Sequence, residues 1–215
     1  METFNFLLAL LKAVPWSLAL TISSFGIGAL LAIPLCMMRI SKRAGLRAIA
    51  LSITVFIRSI PPIVWLFFIF FSFSEFVVQL NAFVAAMLGL GLITAANLAE
   101  IYRGALQAIP AGQREASHVL GLSFWDRASA IMVPQVFRYS LPACSTYAIG
   151  LLKDTAIAST IGVPEMAQVA YQISQQTFKG LEIYALAGGL YLVISFAMAW
   201  LSRSVDTGLR ARIER

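Results

Sequence analysis

The chain has 215 residues, of which 60% are hydrophobic and only 12% charged, about half the charged share of a soluble domain. Fifteen Phe and four Trp bring more apolar surface than a small domain can bury, which excludes an ordinary soluble protein and makes lipid the solvent. The net charge of +6 lies between apolar runs and is not gathered on one face, which argues against a nucleic-acid partner.

In chain order, the first residues carry only Glu2 and Lys12 as charges. They lack the positive start of a secretory signal, so this segment is expected to stay attached. A spanning helix needs ~20 apolar residues, because the hydrocarbon core is ~30 Å thick. Pro15–Met38 qualifies. Leu51–Phe73 qualifies apart from Arg58, and its Pro61-Pro62 must disturb the helix and free backbone carbonyls. Asn81–Ala99 is just long enough. Tyr139–Leu152 is too short alone; with Thr155–Val163 beyond Lys153-Asp154 it reads as one broken element, Tyr139–Val163. Ile183–Ser202 closes the series. The expected fold is an all-α membrane protein of five transmembrane helices, forming a single transmembrane domain over 1–215.

The positive-inside rule orients it. The hydrophilic segments 1–14, 39–50, 74–80, 100–138, 153–182 and 203–215 carry 1, 4, 0, 4, 2 and 4 Lys+Arg. The N-terminus is therefore expected outside and the C-terminus in the cytoplasm. The basic excess needs no anionic partner, and Arg203, Arg210, Arg212 and Arg215 read as headgroup anchors. Cys36 and Cys144 fall inside apolar runs and read as small buried hydrophobes. With His118 they make no metal cluster, and no nucleotide-binding loop of the GxxxxGK[ST] type occurs.

Arg114–Pro134, REASHVLGLSFWDRASAIMVP, is a polar, helix-forming stretch on the expected cytoplasmic side. Pro110 suits a first helical turn, Gly121 suits a left-handed C′ stop, and Ser123 with Asp126 forms a capping pair for a second helix. That helix is expected to reach about Met132 and to break at Pro134. Ala116, Val119 and Leu120 offer a small apolar face. On these grounds the loop is either an amphipathic connector on headgroups or a docking element.

Its pattern, Glu115-Ala116-Ser117, three residues, Gly121, nine residues, Ile131-Met132-Val133-Pro134, resembles the EAA loop of type I ABC importer permeases. Ser117 and Val133 replace an alanine and a leucine of the family pattern. Phe56-Ile57-Arg58-Ser59-Ile60-Pro61, Ala99-Glu100-Ile101-Tyr102-Arg103-Gly104, Ile109-Pro110-Ala111-Gly112-Gln113, Leu151-Leu152-Lys153-Asp154-Thr155 and Ile161-Gly162-Val163-Pro164-Glu165 resemble elements of the polar amino-acid branch of that family. The resemblance covers about 15–205. It implies that Arg114, Glu115, Ala116, Ser117, His118 and Gly121 belong to a coupling helix seated on an ATP-binding subunit. It also implies an ATPase dimer carrying ATP and Mg, a second permease subunit (identical or paralogous), an extracytoplasmic solute-binding protein, and a bacterial inner membrane. No cofactor or metal is expected on this chain, and it is expected to hydrolyse nothing itself.

Charges at bilayer depth cost a few kcal/mol each and face a cavity or one another. Lys153 and Asp154 either meet the carboxylate and ammonium of an amino acid or pair to fix the break. Arg58 either lines the pathway or snorkels to headgroups, and Asn97 is a helix–helix hydrogen bond or a pathway ligand. Ser59 and Thr155, beside them, complete the candidate pathway set. The expected function is the permease subunit of an importer for polar amino acids, driven by ATP on a partner. A secondary transporter using the Lys153-Asp154 break as its coupling site leaves the loop pattern unexplained. A membrane-embedded enzyme lacks paired catalytic groups.

Overall fold

Helix α1 (Glu2–Arg39) is 38 residues long and takes in both Pro15 and Pro34. Residues 2–14 of the segment expected only as an outer hydrophilic stretch are thus helical and continuous with the first apolar run. In the computed structural model the described residues are 2–73 and 79–211, and for Phe73, Arg114, His118 and residues 208–211 the backbone alone is described. Expectations for most of segment 74–80, for the side chains of Arg114, His118 and Arg210, and for Arg212 and Arg215 lie outside these.

Helix α4 (Ala82–Ala108), capped by the Asn81 side chain accepting from the Val84 amide, is the main partner of α1. Their contact is set by small residues. A Cβ added at Gly28 would lie 2.4 Å from Thr94 Cβ and 2.9 Å from the Gly91 carbonyl, so the backbones approach as closely as only glycine allows. Leu20, Leu66, Leu90, Leu151 and Ile161 meet in the buried core beside this contact.

The expected span Leu51–Phe73 is built from two helices, α2 (Ala44–Ser59) and α3 (Pro62–Phe67, continued by a π-helical turn Phe68–Phe73). The axis turns by 98° between them. Ile60, forced out of helical geometry by the proline after it, has ψ 130°, and Pro61 lacks the amide to continue the ladder. Trp65 Nε1 donates to the Ile57 carbonyl at 3.1 Å, satisfying an acceptor that the break leaves open.

Helix α5 (Ala111–Val119) is followed by the three-residue α6 (Phe124–Asp126), a π-helical turn (Arg127–Met132) and α7 (Val133–Asp154). The expected break at Pro134 does not occur. The wide turn before it takes up the missing amide and the ring, so the helical path from Phe124 to Asp154 is continuous. The expected fourteen-residue Tyr139–Leu152 is therefore part of a 22-residue helix. At its other end the chain does not unwind at Lys153-Asp154. It tightens into a 3₁₀ helix, Thr155–Ile161, closed by Gly162 at φ 85°.

Helix α8 (Met166–Thr177), not foreseen in the sequence, ends at Phe178 with φ 57°, and α9 (Gly180–Ala211) follows. The turn between them is tied to the start of α1. The Lys179 ammonium pairs with Glu2, whose hydrogen bond and charge hold it above its usual range, and Thr3 Oγ1 donates to Glu182 at 2.6 Å.

The described residues are helical, without a strand. Three described helices, Glu2–Arg39, Ala82–Ala108 and Gly180–Thr207, are long and apolar enough to cross a membrane, and the count is four if the bent α2–α3 pair is one span. Against the expected five, the element that falls short is α7, which carries Gln135, Arg138, Lys153 and Asp154.

Candidate functional site

Two regions collect the chemistry. The first is the loop between α4 and α7. Helix α5 ends at Gly121, which has φ 66°, and the Leu122 amide reaches back to the Ser117 carbonyl at 3.2 Å. That 6→1 closure needs a left-handed residue at Gly121. Ser123 then caps the next turn. Its Oγ accepts from the Asp126 amide at 3.2 Å and donates to Asp126 Oδ2 at 2.6 Å. The stop and the cap lie where the sequence expects them. Glu115 and Ala116 are exposed, whereas Ser117 is buried. Val119 is 87% exposed and Trp125 77%, with Leu120 and Phe124 also open. The expected apolar face is thus wider than Ala116, Val119 and Leu120: the edge-to-face Phe124–Trp125 pair, rings 5.6 Å apart, extends it.

The second region lies inside the bundle. The Tyr147 hydroxyl, from α7, donates to Thr94 Oγ1 on α4 at 3.2 Å. Asn97, three residues after Thr94, donates to the Ile93 carbonyl at 2.9 Å and also neighbours that hydroxyl. Of the expected pathway residues, Asn97 therefore lies beside a tyrosine that the sequence did not single out, while Arg58 and Asp154 are exposed.

Ser59, Lys153 and Thr155 have other surroundings. Ser59 is exposed and its Oγ donates to the Val55 carbonyl at 2.7 Å. Lys153 is exposed, and among the described residues no ion pair joins it to Asp154. Thr155 is fully buried, donating to the Leu152 carbonyl at 2.6 Å, and belongs to a different cluster.

That cluster centres on Glu165, which has no exposed surface. Its carboxylate accepts from the Gln168 amide at 2.8 Å as the N-cap of α8, from the Tyr191 hydroxyl of α9 at 2.5 Å, and from the Ser17 hydroxyl of α1 at 3.4 Å. Ser17 in turn accepts from the Met166 amide at 3.2 Å. A buried carboxyl is tolerable only when its oxygens are supplied with donors in this way.

At the loop-bearing end of the bundle, Glu100 is shared by Arg39 of α1 and Arg103 of its own helix, both at 2.8 Å. Among the described residues no group of three His, Cys, Asp or Glu side chains is close enough to bind a metal.

A polar membrane-embedded bundle joined to an exposed, glycine-hinged loop is the frame in which comparison with known proteins becomes decisive. The family model described as "Binding-protein-dependent transport system inner membrane component" matches residues 24–211. The chain belongs to this family of transport-system inner membrane components. Among curated relatives, the nopaline transport system permease protein NocM of Agrobacterium fabrum is 34% identical over 202 residues, covering 89% of this chain and 84% of that protein. The octopine transport system permease protein OccM of Rhizobium radiobacter is 33% identical over 210 residues, covering 94% and 86%. Among solved structures, one described as an amino acid ABC transporter with histidines superposes with a TM-score of 0.88 at 27% identity, covering 96% of each chain. Relatives of this inner membrane component are thus permease subunits of transport systems, and its helical arrangement is that of an ABC transporter permease. The loop and the Tyr147 region both fall inside the matched span.

Tyr147, Thr94, Ser17 and Tyr191 were missed because a hydroxyl within an apolar run gives no pattern. Glu165 had one legible signal, an acid directly after Pro164 in a stretch without other charges.

Proposed function

We propose that this chain is the permease subunit of an ATP-binding-cassette importer for polar amino acids or amino-acid derivatives of the opine kind. The observation that carries this reading is the exposed loop, with its Glu115-Ala116-Ser117 pattern and Gly121 hinge, lying within the matched family region. Names of relatives that handle nopaline and octopine, and the amino acid transporter fold, support the substrate class.

In this reading the chain is one transmembrane domain that crosses a bacterial inner membrane five times, N-terminus outside and C-terminus in the cytoplasm. The bent α2–α3 pair is one crossing, and α7 supplies the fifth. Its 22 residues reach ~33 Å, enough for the ~30 Å hydrocarbon core. Lys153 and Asp154 then sit at its far end, and Arg138 stays near the loop.

The partners are an ATPase dimer that holds ATP and Mg, a second permease copy or paralogue, and an external solute-binding protein. Arg114, Glu115, Ala116, Ser117, His118 and Gly121 seat the loop on the ATPase, and the Val119, Leu120, Phe124 and Trp125 surface supplies the apolar contact. ATPase closure draws the two loops together and opens the outer side; hydrolysis resets the inward-facing state. The pathway set is Arg58, Ser59, Asn97, Lys153, Asp154 and Thr155, with Tyr147 and Thr94 added by their place beside Asn97. Asp154 is suited to an ammonium and Arg58 to a carboxylate.

The test is reconstitution of the chain with its ATPase, partner permease and binding protein in proteoliposomes. Uptake of a polar amino acid that requires internal-leaflet ATP, and is indifferent to an imposed proton or sodium gradient, is expected. Uptake driven by the ion gradient without ATP would overturn the reading.

A further inference from the structure

We infer that the loop-bearing end of the bundle holds a specific site for the phosphate headgroup of an anionic phospholipid, in the cavity between α1, α2, α4 and the root of α7. The cavity has a volume of about 430 Å³, within the ~300–1,000 Å³ usual for small-ligand pockets. Arg39, Arg47 and Arg103 line it, with Ile40, Leu106 and Met132 forming an apolar wall.

No acid lines the cavity. Glu100 lies behind the arginines and is the one carboxylate shared by Arg39 and Arg103. Arg47, in the first turns of α2, adds a third guanidinium, so two positive charges remain uncompensated at the cavity. A guanidinium carries five N–H donors in a fixed fork, and the bond to Glu100 occupies only Nε of Arg39. The fork suits the paired oxygens of a phosphodiester. Arg103 is held by Glu100 through Nε and Nη2 and by Gln107, to which its Nη1 donates at 3.1 Å, so it fixes charge at the cavity while the Nη groups of Arg39 and the Arg47 guanidinium supply the donors.

The apolar wall selects the source of the phosphate. Inorganic phosphate has nothing to place against Ile40, Leu106 and Met132, whereas a phospholipid has a glycerol backbone and acyl chains. Basic pockets at the cytoplasmic end of membrane helices take acidic headgroups on the same principle. The site also joins both flanks of the loop: Gln107 is in the last turn of α4, before it, and Met132 ends the turn after it.

The test uses the purified transporter complex in mixed micelles of phosphatidylglycerol and phosphatidylcholine, with retained lipid counted by native mass spectrometry. Wild type is expected to retain phosphatidylglycerol in preference. Arg47→Gln, at an exposed position that spares the Glu100 bridge, is expected to lose that preference several-fold, and Arg47→Lys to keep part of it. Lys42→Gln removes the same charge from the same segment outside the cavity and is expected to behave as wild type. Equal losses in Lys42→Gln and Arg47→Gln would reduce the effect to diffuse surface attraction and overturn the site, as would no loss in Arg47→Gln. Displacement of phosphatidylglycerol by millimolar inorganic phosphate would overturn the lipid as its occupant.

Discussion

Tyr191 donates its hydroxyl to a carboxylate oxygen of Glu165 at 2.5 Å, joining α9 to the cap of α8, and Ser17 brings α1 to the same oxygen. Three helices from distant parts of the chain therefore meet on one side chain that has no contact with solvent. Glu165→Ala removes the cap of α8 and leaves the buried Ser17 hydroxyl and the half-buried Tyr191 hydroxyl without this acceptor. A loss of about 2–4 kcal/mol is expected, the sum of a cap and of buried hydrogen bonds. Glu165→Gln keeps the size and one acceptor oxygen and is expected to cost less. Thermal unfolding in detergent measures both; an unchanged midpoint for Glu165→Ala would show that the cluster is not a tie.

Gly28 faces Thr94 at a distance that admits no side chain. Gly28→Leu is expected to push α1 off α4, at a cost of at least about 1–3 kcal/mol for overpacking, and to break the Tyr147–Thr94 hydrogen bond with it. Gly26 has open space around it, so Gly26→Leu is the matched control and is expected to be neutral. Yield of monodisperse protein on gel filtration separates the two.

At Gly121 nothing lies within 4 Å of an added Cβ, so the cost of Gly121→Val comes from its φ of 66° and not from a clash. About 1 kcal/mol or more is expected locally. Both Gly121→Val and the exposed Glu115→Lys are expected to insert and fold yet to lose transport-coupled ATP hydrolysis. Full uptake by both variants would leave the loop a mere connector.

Asp154 and Lys153 are neighbours in sequence without an ion pair between them. Asp154→Asn is therefore expected to assemble normally and to lose most uptake. The double change Lys153→Met with Asp154→Leu is expected to assemble and to be inactive. Normal uptake by the assembled double variant would remove both residues from the substrate path.

What was legible in the sequence was local. Gly121, Ser123 and Asp126 announce a stop and a start within a few residues of one another, and the cap they form depends on little else. Pro61-Pro62 announces a break, though not its angle, because the 98° turn depends on where α3 packs. Pro134 misled: a proline inside a helix usually ends it, but the wide turn at Arg127–Met132 absorbs it, and nothing in those six residues marks a change of hydrogen-bond register. Glu165 illustrates the opposite limit. Its partners lie 148 residues before it and 26 after, so its role could be seen only once the helices were placed. The meeting of Tyr147 with Thr94 beside Asn97 is of that second kind.

The uninterrupted helical path from Phe124 to Asp154 gives the molecule a lever. At ~1.5 Å per residue its 31 residues amount to at most roughly 45 Å of helix, beginning beside the open Trp125. A helix resists compression along its axis, so a push on one end cannot be taken up as slack and must reappear as tilt or slide at the other. A tilt of about 10° about the middle of such a rod carries each tip some 4 Å, in opposite senses, for a length of roughly 45 Å. Tyr147 rides on that rod seven residues from its end, and Thr94 does not, so the hydrogen bond between them is the joint at which such a swing would first be felt.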